Sequence, residues 1–115
     1  MITVLHLIRS KVSGHSIYNL TYNDTIEEAK KLIKLGLYEK VAVLETDLLY
    51  RALSITDRIR KGVIRDWSKS PGVVWCIDRP NRSSTYGDIF IGDECGTFVI
   101  TKLGFYEIEI PALLK

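Results

Sequence analysis

The clearest pattern in the chain is Asn23-Asp-Thr-Ile-Glu-Glu-Ala-Lys-Lys-Leu-Ile-Lys-Leu-Gly36. Thr25 and Glu28 have the spacing of a capping box, in which each side chain bonds a free backbone N–H at the start of a helix. The apolar residues that follow recur every three or four positions, and Gly36 suits the left-handed conformation in which many helices end. This stretch therefore predicts a helix from about Ile26 to Leu35.

A strand and a second helix are predicted immediately afterwards. Lys40-Val-Ala-Val-Leu44 is a short, mostly apolar run of strand length. Thr46 is a good helix N-cap, and Asp47 would lie near the positive end of the helix dipole. Because the backbone N–H groups at such an end attract anions, Thr46 is also a candidate ligand contact.

The rest of the chain adds further strands. Residues 2–8 alternate two largely apolar sets, which predicts a central strand covered on both faces. The same reasoning predicts a strand over 17–22, a helix over 56–69 interrupted by Gly62, and strands over 73–77, 87–92, 97–103 and 105–110. The predicted fold is a single α/β domain over residues 1–115, with a mixed sheet of five to seven strands and two or three packed helices.

The composition is that of an ordinary globular protein. The chain has 115 residues, of which 46% are hydrophobic and 26% charged, and a net charge of +2. No apolar run approaches the roughly 20 residues of a membrane-spanning helix, and no cleavage site follows residues 2–8. We therefore expect a cytoplasmic protein. Cys76 and Cys95 could form one disulfide, although without an export signal two free, buried thiols are the expected state.

Positive charge and hydroxyl groups meet in one polar loop, residues 78–86. The middle of the chain, residues 51–82, carries eight basic and three acidic side chains. Arginine forks bind phosphate oxygens in pairs, and hydroxyl groups add neutral donors. The loop is therefore the predicted site for a phosphate-containing ligand such as a cyclic oligonucleotide, and a solvated loop without a ligand is the alternative. Its candidate contacts are Arg79, Arg82, Ser83, Ser84 and Thr85.

The basic segment 58–69 gives an alternative function, a DNA- or RNA-binding regulator. Its candidate contacts are Arg58, Lys61, Arg65 and Lys69. Trp67 would provide a surface on which bases stack. A charged helix face that is merely solvated is the plainer interpretation, and a module that acts through a protein partner is a third possibility.

Catalysis is not predicted by any specific motif. His6 lies among leucines in a predicted core strand, whereas His15 lies in a Ser-Gly-His-Ser turn where it could act as a general acid or base. No oriented partner for His15 is evident. The sequence leaves open whether the protein is an enzyme, and it predicts no cofactor and no metal site.

Three stretches of the chain resemble a known family. They are Thr25-Ile-Glu-Glu-Ala-Lys-Lys-Leu-Ile-Lys34 with the following strand, Glu45-Thr-Asp-Leu-Leu49, and Gly104-Phe-Tyr-Glu-Ile108. They are similar to the viral type III anti-CRISPR ring nucleases, small dimeric proteins that bind and cleave cyclic tetra-adenylate. The resemblance implies a viral protein in the host cytoplasm with an oligonucleotide-binding cleft. Leu44 occupies the position of that family's catalytic histidine, so the resemblance implies binding without that chemistry.

A homodimer is expected from the size of the chain as well as from the resemblance. A domain this small gains stability by burying a sheet edge or face. Trp67 and Tyr106 are aromatic side chains that a single small core would not fully cover. We therefore expect these side chains to lie near an interface between two copies.

Overall fold

The computed structural model describes residues 1–109, which form three α-helices and eight strands. The helices are α1 (Gly14–Tyr18), α2 (Thr25–Lys34) and α3 (Leu49–Ile55). The strands are β1 (Ile2–Leu7), β2 (Tyr38–Leu44), β3 (Ile59–Arg60), β4 (Val63–Ile64), β5 (Val73–Cys76), β6 (Ile89–Gly92), β7 (Gly96–Thr101) and β8 (Gly104–Glu107). Between them lie two 3-10 helices, Arg9–Lys11 and Trp67–Lys69, and a π-helical turn, Asn19–Asn23.

Six strands form the main sheet, in the order β5-β2-β1-β6-β7-β8. The predicted α/β class, a sheet of five to seven strands and two or three helices are confirmed. Within residues 1–109 the strands pair antiparallel throughout, rather than in mixed directions. The chain reverses its direction between successive strands of this sheet, including across the helical connection from β1 to β2. Neighbouring strands therefore run antiparallel. The last predicted strand, 105–110, corresponds to β8, and its final residue lies outside the described residues.

The central strand β1 is covered on both faces, as predicted. Leu5 and Leu7 pack in one apolar cluster with residues of α2. Ile2 and Val4 pack in a second cluster that contains residues of α3 together with Trp67. Because successive side chains of a strand point to opposite faces, two separate cores lie on the two sides of one sheet. No helix within residues 1–109 combines the length and the apolar composition needed to cross a membrane.

Helix α2 lies where the sequence predicts it, but its first turn is held differently. The hydroxyl of Thr25 donates to the carbonyl of Leu20 at 2.7 Å. The carboxylate of Glu28 accepts a hydrogen bond from the Asn19 amide at 3.0 Å. The predicted capping box is therefore wrong, because the preceding π-helical turn supplies both partners. Gly36 has a φ of +70°, which confirms its predicted role after the helix.

Residues 17–22 are helical rather than the predicted strand. Ile17 and Leu20 both contact the apolar cluster on the α2 side of the sheet, and Leu20 is fully buried there. Tyr18 and Tyr22 are exposed, with ring centroids 5.3 Å apart. The partly buried Ile17 and the buried Leu20 are three residues apart, which is helical spacing. Two outward-facing tyrosines produced the apparent alternation that favoured a strand.

The segment 56–69 contains a hairpin instead of the predicted helix. Strands β3 and β4 pair through a two-residue turn at Lys61 and Gly62, whose φ angles are +52° and +75°. Such a turn matches the twist of the two strands it joins. Helical backbone needs negative φ at both positions, so this turn excludes a helix here. Both strands of the hairpin are exposed.

The two tryptophans and the two cysteines differ in environment. Trp67 is 1% exposed, so it does not need a second copy to cover it, whereas Trp75 on β5 is 44% exposed. Cys76 and Cys95 are free thiols, each half-buried, and burial raises the pKa of the Cys76 thiol. Tyr106, on the edge strand β8, remains an exposed aromatic.

Replacing Trp67 should destabilise the fold far more than replacing Trp75. Trp67→Ala would leave a large cavity in the core, for which we expect a loss of about 3–5 kcal/mol in the free energy of unfolding. Trp75→Ala is the matched control, and we expect it to change stability by less than about 1 kcal/mol because the side chain is half in solvent. Urea denaturation followed by circular dichroism measures both. Equal losses would contradict the burial described here.

Candidate functional site

The polar loop 78–86 is fastened to the sheet by Asp88, which is fully buried. Its carboxylate accepts hydrogen bonds from the backbone N–H groups of Leu7 and Thr85, at 2.9 and 2.8 Å. It also accepts two from the guanidinium of Arg82, at 2.5 and 2.9 Å. Arg82 in turn donates to the carbonyl of Leu7 at 3.0 Å. A buried carboxylate is stable only with such donors, so Arg82 is bound within the protein.

The serine hydroxyls of the loop also bond to the protein itself. Ser84 Oγ lies 2.8 Å from His6 Nε2, and both side chains are buried. Ser83 Oγ accepts a hydrogen bond from the Arg58 backbone N–H at 2.6 Å. Burial lowers the pKa of His6 to about 4, so this imidazole is neutral at pH 7. Ser83 and Ser84 therefore hold the loop in place.

Two aromatic side chains complete the attachment of the loop. The indole N–H of Trp67 donates to the Arg82 carbonyl at 3.0 Å, and the Tyr38 hydroxyl donates to the Gly87 carbonyl at 2.6 Å. These donors come from the 3-10 helix after β4 and from the start of β2. The loop is thus bonded from both faces of the sheet, which fixes its backbone.

A cleft of about 480 Å³ lies beside this loop, where β1 ends. We call it the basic cleft. It is lined by His6, Leu7, Ile8, Arg9, Ser10, Lys11, Glu39, Arg79, Pro80, Asn81 and Arg82. The lining includes four cationic side chains, from the turn after β1 and from the loop, and one carboxylate, Glu39. This arrangement attracts anions.

Two of the four cations of the basic cleft form ion pairs within the protein. Arg79 pairs with Glu39, and Arg82 pairs with Asp88. Within the described part of the chain, Arg9 and Lys11 form no ion pair. The Nη1 atom of Arg9 is buried and has no hydrogen-bond partner among residues 1–109. Arg9 and Lys11 are therefore the cations of this cleft that no carboxylate among residues 1–109 neutralises.

The structure brings some of the predicted contacts together and separates others. Arg79 and Arg82 both line the basic cleft, whereas the hydroxyls of Ser83 and Ser84 bond to the protein and Thr85 donates its backbone N–H to Asp88. Phosphate binding by these residues stays a prediction.

Thr46 lies away from the basic cleft. It follows the end of β2, whereas Glu39 lies at the start of that strand, and five residues of strand span about 17 Å. The Thr46 hydroxyl accepts a hydrogen bond from the Leu48 N–H at 3.2 Å, and α3 begins only at Leu49. The predicted helix start at Thr46 is therefore wrong, because residues 45–48 form a turn in which Asp47 binds the N-terminal ammonium at 2.6 Å.

Arg9 and Lys11 are the cleft residues that sequence reasoning missed. They come directly after the central strand, where α/β proteins commonly place ligands, and this position was the available signal. Their partner loop is about seventy residues further along the chain. Only the antiparallel pairing of β1 with β6, which brings residue 88 beside residue 7, shows that the two segments meet.

Two further clefts adjoin the basic cleft. The hairpin cleft, about 240 Å³, is lined by Arg58, Ile64, Arg65, Asp66, Pro80 and Asn81. The edge cleft, about 540 Å³, is lined by Asp66, Ser68, Lys69 and residues 73–80. Three of the predicted nucleic-acid contacts, Arg58, Arg65 and Lys69, therefore line these clefts, whereas Lys61 lies at the tip of the hairpin. Arg65 also donates to the carbonyls of Ser54 and Ile55 at the end of α3, at 3.1 and 3.0 Å.

Neither histidine hydrogen-bonds to a carboxylate among residues 1–109. His15 is exposed, and its Nε2 atom lies 3.4 Å from the Asn19 amide. His6 is enclosed by Ser84 and by Trp67, whose ring centroid lies 6.2 Å away. Within residues 1–109 no three His, Cys, Asp or Glu side chains lie together in a way that would hold a metal ion.

Comparisons with protein-family models, with curated proteins and with solved structures find no match for this chain. The contacts of its own residues are therefore the basis for inferring its function.

Arg82→Ala should unfold the protein more readily than Arg79→Ala. Removing Arg82 leaves the charge of Asp88 buried without its partner, so we expect the free energy of unfolding to fall by about 3–5 kcal/mol. The pair of Arg79 with Glu39 is exposed, and its loss should cost less than about 1 kcal/mol. Urea denaturation of both variants at pH 7 measures the difference. A loss in Arg82→Ala no greater than in Arg79→Ala would contradict the role given to Asp88.

Stability should fall as the pH is lowered from about 6.5 to 4 because of His6. In this range the unfolded chain protonates the histidine while the folded protein keeps it neutral, so acid favours unfolding. In total the free energy of unfolding should fall by about 3 kcal/mol. This loss should begin near pH 6.5 and be complete below about pH 4.

His6→Gln keeps a hydrogen-bonding side chain but does not titrate, so its stability should depend less on pH over this range. His15→Gln, an exposed control, should retain the pH dependence of the unsubstituted protein. Urea midpoints at pH 7 and pH 4 provide the measurement. If His6→Gln is as acid-sensitive as the unsubstituted protein, then a group other than His6 takes up the proton that destabilises the fold.

Proposed function

We propose that this protein binds a phosphate-containing ligand, such as a cyclic oligonucleotide, in the basic cleft. The observation that carries the proposal is that Arg9 and Lys11 both line this cleft and form no ion pair within residues 1–109. A phosphate in the cleft would accept charge-assisted hydrogen bonds from such cations. Lys11 and Arg79 line the same cleft and would share the remaining charge.

The cations of the cleft have different parts in this function. Arg9 and Lys11 are available to the ligand directly. Arg79 pairs with Glu39 beside the cleft. A phosphate would replace the Glu39 carboxylate as the acceptor for some of the N–H groups of this guanidinium. Arg82 is committed to Asp88 and supports the wall of the cleft from behind. Only three of the four cations are therefore proposed as ligand donors.

The proposal assigns binding and not cleavage. The one histidine that lines the cleft, His6, is buried against Ser84, and its lowered pKa keeps it neutral at pH 7. A general acid must be protonated at the working pH to deliver a proton. His6 is therefore not proposed as a general acid.

We also propose that the protein acts in the cytoplasm as a homodimer. Strand β8 is one edge of the main sheet, and it carries the exposed aromatic side chain of Tyr106. Edge strands with exposed apolar groups are suited to pairing with a second chain. Sedimentation at micromolar concentration measures the oligomeric state.

The double variant Lys11→Gln with Arg79→Gln should bind phosphate ligands much more weakly than the unsubstituted protein. Each charge-assisted contact contributes about 1.5–3 kcal/mol, so affinity should fall at least tenfold per substitution. Calorimetric titration with pyrophosphate and with cyclic tetra-adenylate measures this. Lys102→Gln removes a lysine on the β7–β8 turn, outside the cleft, and serves as the control for the loss of a cation elsewhere on the surface.

Both substituted side chains lie at the surface of the cleft, so folding should be preserved, and circular dichroism verifies this. Equal affinity in the double variant and in Lys102→Gln would overturn the proposed site. The proposed function itself fails if the unsubstituted protein binds neither pyrophosphate nor any oligonucleotide.

A further inference from the structure

We infer that the ligand of the basic cleft is a segment of single-stranded nucleic acid, which continues across Pro80 and Asn81 into the hairpin cleft and the edge cleft. This inference rests on the proposed function, because the basic cleft would hold one of the phosphates of the strand. It goes further by assigning roles to residues that lie outside the basic cleft.

The first support is that the three clefts share walls. Pro80 lines all three of them. Asn81 lines both the basic cleft and the hairpin cleft, and Arg79 lines both the basic cleft and the edge cleft. Two of the clefts already have the size of a pocket for one small ligand, roughly 300–1,000 Å³. Adjoining clefts of this kind suit an extended ligand better than a compact one.

The second support is the distribution of charge. The cations that line the three clefts are Arg9, Lys11, Arg58, Arg65, Lys69, Arg79 and Arg82. The carboxylates of the clefts are Glu39, Asp66 and Asp78, and Asp88 lies behind Arg82, which leaves a formal charge of +3 (7 − 4). Each cleft contains at least one cation without an ion pair among residues 1–109. These are Arg9 and Lys11 in the basic cleft, Arg58 in the hairpin cleft and Lys69 in the edge cleft. Spaced positive charges along a groove match the spaced phosphates of a polynucleotide.

The third support is the apolar surface that the clefts present. Trp75 lines the edge cleft with 44% of its surface exposed, and Lys40 Nζ lies 5.2 Å from the centroid of its ring. Ile64 lines the hairpin cleft and is also exposed. An exposed indole stacks on a base, and a neighbouring ammonium adds attraction for the backbone. Stacking on a side chain requires an unpaired base, which favours a single strand over a duplex.

The test compares a short and a long oligonucleotide. Fluorescence anisotropy with labelled two- and ten-nucleotide single strands, as DNA and as RNA, gives their affinities, with a ten-base-pair duplex alongside. We expect the ten-mer to bind at least tenfold more tightly than the dinucleotide, since each stacked base contributes about 1–3 kcal/mol. The duplex should bind more weakly than the single strand. The DNA and RNA arms identify the sugar that the protein prefers.

Variants locate the path of the strand. Trp75→Leu, and separately the double variant Arg58→Gln with Lys69→Gln, should weaken ten-mer binding about tenfold and leave dinucleotide binding unchanged. Lys11→Gln with Arg79→Gln should weaken both ligands, and Lys102→Gln neither. All variants retain the buried groups of the core, and urea denaturation confirms that they fold.

The outcomes separate the two proposals. If the dinucleotide binds as tightly as the ten-mer and the variants outside the basic cleft have no effect, the extended path is overturned while the proposed function stands. If the variants of the basic cleft change neither ligand, the proposed function fails, and the strand path fails with it. A preference for duplex, or for an acidic peptide such as poly-glutamate over every oligonucleotide, would overturn the inference.

Discussion

The buried carboxylate of Asp88 sets the position of the loop on which both proposals depend. It accepts four hydrogen bonds, and these come from Leu7, Thr85 and Arg82. Leu7 is the last residue of the central strand β1, so the pair of Asp88 with Arg82 joins the middle of the sheet to the loop. Because a buried charge without partners costs several kcal/mol, the loop cannot leave this position without destabilising the fold.

This attachment divides the loop into an inner and an outer half. In the inner half, Ser83 and Ser84 bond to Arg58 and His6. The outer half, Arg79 to Asn81, forms the wall that three clefts share. A fixed backbone loses little freedom when a ligand binds, so more of the contact energy remains as affinity. The cations of the basic cleft also repel one another while it is empty, and an anion would remove that repulsion.

The apolar pattern was sufficient to predict β1, β2, α2, β6 and β7, because each buries a regular set of side chains. Strands β5 and β8 bury none, and their β-branched and aromatic residues predicted them. It failed where exposed residues mimic such a pattern, as the tyrosines of residues 17–22 and the apolar residues of the 59–64 hairpin do. For the site, loop composition identified Arg79 and Arg82. Loop composition could not reveal that Arg82 pairs with Asp88. A loop rich in hydroxyl groups and arginine has the same composition whether its donors point toward the protein or toward solvent.

Leu44, which would occupy the position of the ring nucleases' catalytic histidine if the predicted resemblance holds, lies away from the basic cleft. Leu44 is fully buried at the end of β2, in the cluster that contains Trp67, and its register partner is Ile2. Glu39, which lines the basic cleft, lies at the other end of the same strand and is opposite His6. The two positions are about 17 Å apart along the strand. A ligand in the basic cleft would therefore not contact Leu44, and the proposed binding rests on Arg9, Lys11 and Arg79.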